Sequence, residues 1–170
     1  FAERSTNLAV LPPVTLTLPA QRQVVPEYES KALLAPAGIA FGASQFAKDA
    51  DAAVAAAQAL GYPVVLKAQS EQLSHKSDAG GVALNIQDAN ALRAAWAQMQ
   101  DSVRADDASI VRDGVLVERM GQRGLELIIG AKNDPQWGPV ILVGLGGVTA
   151  EVIQDVRLLD ADLSQAEIVA

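Results

Sequence analysis

The chain has 170 residues, half of them apolar, a formal net charge of -7, a sequence pI near 4.6 and no cysteine. That is enough chain for one good core or two small ones, and its acidic balance offers no basic field to nucleic acid or to an anionic membrane surface. The absent cysteines remove disulfides, thiolate catalysis and zinc–thiolate sites together, no window supplies the roughly 18 to 20 apolar residues of a membrane span, and the opening residues are no secretory signal, so the expected location is cytoplasmic.

Residues 1–25, with Leu11-Pro12-Pro13 and Leu16-Thr17-Leu18-Pro19, lack apolar periodicity and read as an interdomain linker or remnant. Pro26 followed by Glu27-Tyr28-Glu29-Ser30-Lys31 has the fixed φ and early carboxylates of a helix start, and Gly38 supplies the stop. The alanine-rich stretch 51–60, closed by Gly61, predicts a second helix before the first strand. Residues 62–68 are short and β-branched, a buried strand with Lys67 near its end. A polar, glycine-bearing loop over 70–81 leads to a return strand at 82–86. Asp88 then caps a helix whose Leu92, Trp96 and Met99 share one face and belong to the core.

Beyond the polar stretch 101–107, strands are expected at 115–120, 125–129 and 140–143. Turn formers from Lys132 to Gly138 make the last two antiparallel neighbours. Gly144-Leu145-Gly146-Gly147 leads into a predicted helix from about 150, and another helix begins near Ser164 and is cut by the last residue. Hairpins mixed with helices favour an α+β arrangement. The chain opens without methionine, and the expectation is a piece of a larger protein.

Chemistry concentrates in Leu73-Ser74-His75-Lys76-Ser77-Asp78-Ala79-Gly80-Gly81, which holds the single histidine. Neutral imidazole is a competent nucleophile toward phosphorus; glycines let backbone N–H groups approach phosphate oxygens, and Lys76 would offset their charge. An exposed turn with one solvated histidine is the bland alternative. Lys67, in an apolar strand, needs an anionic partner, which a nucleotide phosphate or a neighbouring carboxylate would equally supply. Glu118 and Glu126 each interrupt an apolar strand, as carboxylates with assigned partners or as the outward side of a one-faced sheet. Glu151 and Asp155 would share a helical face that is by default solvated. There is no G-x-G-x-x-G, Walker, H-E-x-x-H or G-x-S-x-G pattern, which disfavours dinucleotide folds and common hydrolases.

Taken in order, Glu27-Tyr28-Glu29-Ser30-Lys31, Gly61-Tyr62-Pro63-Val64-Val65-Leu66-Lys67 and Ser74-His75-Lys76-Ser77-Asp78-Ala79-Gly80-Gly81-Val82 resemble the ATP-grasp region of NDP-forming (ADP-forming) acyl-CoA synthetases. The likeness continues through Gly124-Leu125-Glu126-Leu127-Ile128-Ile129-Gly130, Asp134-Pro135-Gln136-Trp137-Gly138 and Gly144-Leu145-Gly146-Gly147. It implies an ATP-grasp fold of two small α+β lobes, incomplete at its C-terminus. Residues 26–110 would be the N-terminal lobe with the phosphohistidine loop, and 111–170 the C-terminal lobe.

By the same resemblance, His75 would carry phosphate, Lys67, Lys76, Ser77, Gly80 and Gly81 would surround nucleotide phosphates, Glu118 would lie at the adenine hinge and Glu126 would bind the ribose. ATP or ADP with Mg²⁺ would be the cofactor, the metal ligands lying outside this sequence. The implied reaction interconverts acyl-CoA, ADP and phosphate with acid, CoA and ATP through an acyl phosphate and a phosphohistidine. Partners would be the CoA-binding and acyl-phosphate domains of the same enzyme, a small carboxylic acid and CoA, in a homo-oligomer. A chain lacking those domains would be inactive alone. The alternative is a regulatory acyl-CoA synthetase-like domain of a protein acetyltransferase. Asn133, where the family often has arginine, and the displaced Arg157 depart from the pattern.

Overall fold

A computed structural model of the chain describes residues 15–17, 24–73, 79–106, 109–110, 113–122, 124–147, 155–164 and 166–167. The chain divides between Gly121 and Gln122 into two compact units. In the first, helix α1 (Glu27–Leu34) and a 3-10 turn (Ala35–Ala37) precede strand β1 (Ser44–Ala47) and helix α2 (Ala50–Leu60). Strands β2 (Val64–Gln69) and β3 (Val82–Ile86), helix α3 (Ala89–Asp106) and strand β4 (Gly114–Arg119) complete it. The four strands form one antiparallel sheet in the order β1-β4-β2-β3.

Local chemistry sets the boundaries. Pro26, with φ of -57°, opens α1, and Gly38 closes the 3-10 turn in the left-handed region. Asp49 caps α2 by accepting from the Ala52 N–H at 2.8 Å. Asp88 does the same for α3, its Oδ1 accepting from the N–H groups of Asn90 and Ala91 at 2.9 Å each. The helix α3 runs through the polar stretch to Asp106 because one buried stripe, Leu92, Trp96, Met99 and Val103, suffices to dock it. Strand β1 was not anticipated between the first two helices: its four residues bury only Ala47, too little pattern to read from sequence.

Both faces of this sheet are covered, which explains why Val64, Val65 and Leu66 are buried in succession. One face presents Val64, Leu66, Ala68, Val115 and Val117 to the α2 alanines and the α3 stripe, forming the apolar core. Burial of a side chain such as Leu66 or Leu92, both 0% exposed, is worth about 1.5–3 kcal/mol. The other face meets α1: Tyr28 stacks on Phe46 with ring centroids 4.3 Å apart, and the Tyr28 N–H donates to Gln69 Oε1 at 3.2 Å.

The second unit contains β5 (Leu127–Asp134), β6 (Gly138–Leu145) and β7 (Val156–Asp160), antiparallel in that order. The β5–β6 hairpin is the expected one. Its turn is fastened by Asp134, whose Oδ1 accepts from the N–H groups of Gln136 (2.9 Å) and Trp137 (3.1 Å). Trp137 is 78% exposed, whereas Trp96 in the first unit is 8% exposed.

The helix predicted from about 150 begins outside the described residues, and the structure corrects it only from Asp155 on. Glu151 lies outside the described residues, Asp155 is not helical, and Val156–Asp160 is a strand paired with β6 residue for residue from Gly144 to Val140. Gly144 permits this pairing, since a Cβ there would sit 2.6 Å from the Asp155 carbonyl oxygen and 2.7 Å from Val156 Cγ1. The ladder hydrogen bonds thus outweigh local helical preference. Near the end of the chain, Ser164 Oγ and Glu167 Oε2 lie 2.6 Å apart, and the Ser164 N–H donates to the same carboxylate at 2.9 Å, a capping box consistent with a helix start. Among the described residues no helix is long and apolar enough to cross a membrane.

Candidate functional site

Lys67 stands fourth among the six residues of β2, not near the strand's end, because pairing with β4 extends the strand through Gln69. It faces Leu116 in register, which places Glu118 diagonally across the strand pair on the same face. Their side chains meet, with Lys67 Nζ 2.8 Å from Glu118 Oε2. Helix α1 contributes two more charges: Lys67 Nζ is 2.9 Å from Glu27 Oε1, and Lys31 Nζ is 2.9 Å from Glu118 Oε1 and 3.2 Å from Glu27 Oε1.

Each ammonium therefore bridges both carboxylates, and the four formal charges cancel. The Lys67 and Glu27 side chains are each 27% exposed, against 14% for Glu118. Burial by itself depresses the Lys67 pKa, but its bonds to Glu118 and Glu27 outweigh that and leave it above the ordinary lysine value. For Glu118, burial pushes upward while the bonds from Lys67 and Lys31 prevail and hold the carboxyl below its ordinary value. Gly42 comes close to the same carboxylate, a Cβ there lying 3.1 Å from Glu118 Oε1.

The structure thus brings Lys67 and Glu118 together and adds Glu27 and Lys31, to which sequence reading assigned no role. The available signal was their i, i+4 spacing at the start of α1, glutamate first. A neighbouring carboxylate, one of the two partners left open for Lys67, is supplied by two glutamates. His75, Lys76 and Ser77 lie outside the described residues. What is described is the frame of their segment: Lys67 pairs with Val82 across β2 and β3, the Ala68 N–H donates to the Gly81 carbonyl at 2.7 Å, and Leu73 is buried.

Gly80 has a packing reason of its own. Its φ is +68°, and a Cβ would fall 2.7 Å from Ser102 Cβ on α3. It also borders a cavity of about 390 Å³ lined by Val82, Leu84, Met99 and Ser102. Within the second unit, Glu126 is exposed; its carbonyl accepts from the Gly146 N–H at 2.8 Å, and its carboxylate occupies the space a Cβ on Gly147 would need. Among the described residues no three His, Cys, Asp or Glu side chains converge as a metal site.

The family profile of the ATP-grasp domain matches residues 17–170. The chain belongs to the ATP-grasp domain family. This ATP-grasp chain is 56% identical over 168 residues to a trans-feruloyl-CoA synthase from an unknown prokaryotic organism, covering 99% of this chain and 23% of that protein. It is 40% identical over 137 residues to subunit beta of the ADP-forming acetate–CoA ligase II of Pyrococcus furiosus, covering 79% of this chain and 57% of the subunit.

Among solved structures it resembles the dinucleotide-forming acetyl-coenzyme A synthetase 1 of Ca. Korarchaeum cryptofilum. The complex with coenzyme A, Ca-AMPCP and HgCl+ gives a TM-score of 0.79 at 37% identity, covering 84% of this chain and 62% of that one. A complex with coenzyme A and Mg-AMPPCP, its phosphohistidine segment pointing towards the nucleotide binding site, gives 0.64 at 35% identity, covering 83% and 59%. The ATP-grasp chain therefore spans less than two thirds of each of these relatives. The α+β ATP-grasp reading and the likeness to ADP-forming acyl-CoA synthetases both stand, while these relatives, all CoA ligases or synthetases, lend no support to the acetyltransferase alternative.

Proposed function

We propose that the chain is the nucleotide-binding part of an ADP-forming acyl-CoA synthetase, converting acyl-CoA, ADP and phosphate to acid, CoA and ATP, reversibly, through an acyl phosphate and a phosphohistidine. The observation that carries this reading is the placement of Lys67: a partly exposed ammonium on the α1-facing side of β2, the strand whose connection to β3 contains His75. The comparisons support it, since the solved relative's segment of that name points at its nucleotide site.

In this reading a neutral His75 nitrogen attacks the phosphorus of the acyl phosphate, the acyl carboxylate leaves, and the phosphoryl group passes from the imidazole to the terminal oxygen of ADP. Lys67, Lys76 and Ser77 position the phosphate oxygens, and the backbone at Gly80 and Gly81 anchors the segment. Glu118 belongs to the adenine side and Glu126 to the ribose. Mg²⁺ would supply charge neutralisation at the phosphates, its ligands proposed to lie outside this chain. Two lobes preceded by a linker are proposed, the boundary lying after β4 rather than at 110, because β4 pairs within the sheet of the first unit. The CoA-binding and acyl-phosphate functions belong to further domains or subunits of a cytoplasmic, homo-oligomeric enzyme, without which the chain is inactive.

The test is incubation of the full-length protein with γ-labelled ATP and Mg²⁺, wild type beside His75→Ala. Acid-labile, base-stable label in the wild type that vanishes in the variant supports the proposal. A wild type that binds ATP yet takes no label overturns the phosphohistidine route.

A further inference from the structure

Within the ion quartet the two glutamates are not equivalent. Glu118 divides its two oxygens, Oε1 to Lys31 and Oε2 to Lys67, and is the more buried carboxylate. Glu27 meets both lysines through a single oxygen, Oε1, from the first turn of α1, and its side chain is about twice as exposed, 27% against 14%. Of Lys67's two anionic partners, Glu27 is thus the one with the more accessible carboxylate and the shared contact.

We infer that Glu27 is an exchangeable internal anion, occupying Lys67 until a phosphate oxygen of a nucleoside diphosphate takes its place, while Glu118 stays on Lys67 and Lys31 remains beside both carboxylates after the exchange. This inference rests on the nucleotide reading given above. Its physical basis is charge conservation in a half-buried site. Were Lys67 to turn to a phosphate with no second cation nearby, Glu118 would be left as an uncompensated, mostly buried carboxylate, the costly outcome for any broken buried pair. Lys31, already 2.9 Å from Glu118 and 3.2 Å from Glu27, lowers that cost. Glu27 and Lys31 are accordingly positioning residues: Glu27 competes with the ligand, and Lys31 makes the competition losable.

The distinguishing measurement is equilibrium binding of ADP and of adenosine to the full-length protein at fixed pH and salt, for wild type, Glu27→Gln and Lys31→Met. Removing the competing anion strengthens ADP binding by about two- to fivefold, the scale of one partly exposed ion pair, and leaves adenosine unchanged. Lys31→Met weakens ADP binding, because Glu118 then depends on Lys67 alone among the two lysines. Glu27→Asp, which shortens the reach to Lys67 while keeping the charge, shifts ADP binding in the same direction as Glu27→Gln and guards against a misfolded first variant. Unchanged or weaker ADP binding in both Glu27 variants, with a wild type that binds ADP, overturns the exchange and leaves the nucleotide reading intact. A wild type that binds no ADP overturns both.

Discussion

Lys67 and Glu118 lie diagonally across β2 and β4 and meet at 2.8 Å, although the residues directly opposite each are apolar, Leu116 and Val65. The register of one strand pair therefore places both charges on the face that meets α1, where Glu27 and Lys31 complete the set. A shift of one residue would send them into the apolar core instead.

Removing one member should cost more than removing a surface charge. For Lys67→Met the expected loss is about 1–3 kcal/mol, between exposed and fully buried pairs, because the mostly buried Glu118 keeps only Lys31 of its two lysines. Urea denaturation of Lys67→Met, Glu118→Gln and the double variant checks this: the double variant should lose clearly less than the sum of the singles.

The same contacts set a pH window. Glu118 titrates below its ordinary value in the folded chain, so its contribution is full above about pH 4.5 and fades as acid protonates the folded carboxyl. Lys67 titrates above 10.5, so its contribution is full below that value and fades as alkali removes the proton from the folded ammonium. Stability from the Lys67 and Glu118 contacts should be flat between these limits and fall outside them. Glu118→Gln should flatten the acid limb when denaturation midpoints are followed against pH.

Gly114 links the sheet to the site. A Cβ there would lie 2.5 Å from the Ala47 carbonyl oxygen and 2.6 Å from the Phe46 ring, the ring on which Tyr28 stacks. Gly114→Ala is expected to destabilise by about 1–3 kcal/mol, as overpacking does, and to disturb α1 with it. Thermal melts give the first effect; weakened ADP binding gives the second.

Gly80→Ala should cost a similar amount, about 1–3 kcal/mol, from a left-handed backbone and the approach to Ser102 together. Ser102→Gly in the same chain should recover only the steric part. Full recovery would show that the backbone conformation carries no cost.

Much of the fold was legible because its signals are local. Pro26, Gly38, Gly61 and Asp88 mark helix ends by their own backbone or side-chain chemistry, and Lys132 to Gly138 marks a hairpin. Strand β1 and the strand over Val156–Asp160 were missed because their identity comes from partners distant in sequence, β4 and β6. The site divides likewise. Lys67 and Glu118 stand out as charges inside apolar strands, whereas Glu27 and Lys31 look like any helix-surface pair until α1 is seen against the sheet. For Gly80, sequence suggests a phosphate loop, and the structure adds close packing against Ser102.

The chain's two tryptophans fall one to each compact unit, Trp96 within the apolar core and Trp137 at an exposed hairpin turn. Their fluorescence is consequently separable without any label. Trp96 should emit to the blue and resist aqueous quenchers, while Trp137 should emit to the red and be quenched readily. Trp137→Phe leaves an intrinsic reporter of the unit that holds Lys67, and Trp96→Phe leaves one of the unit that holds Glu126. The two halves of the chain can in this way be watched unfolding independently in a single cuvette.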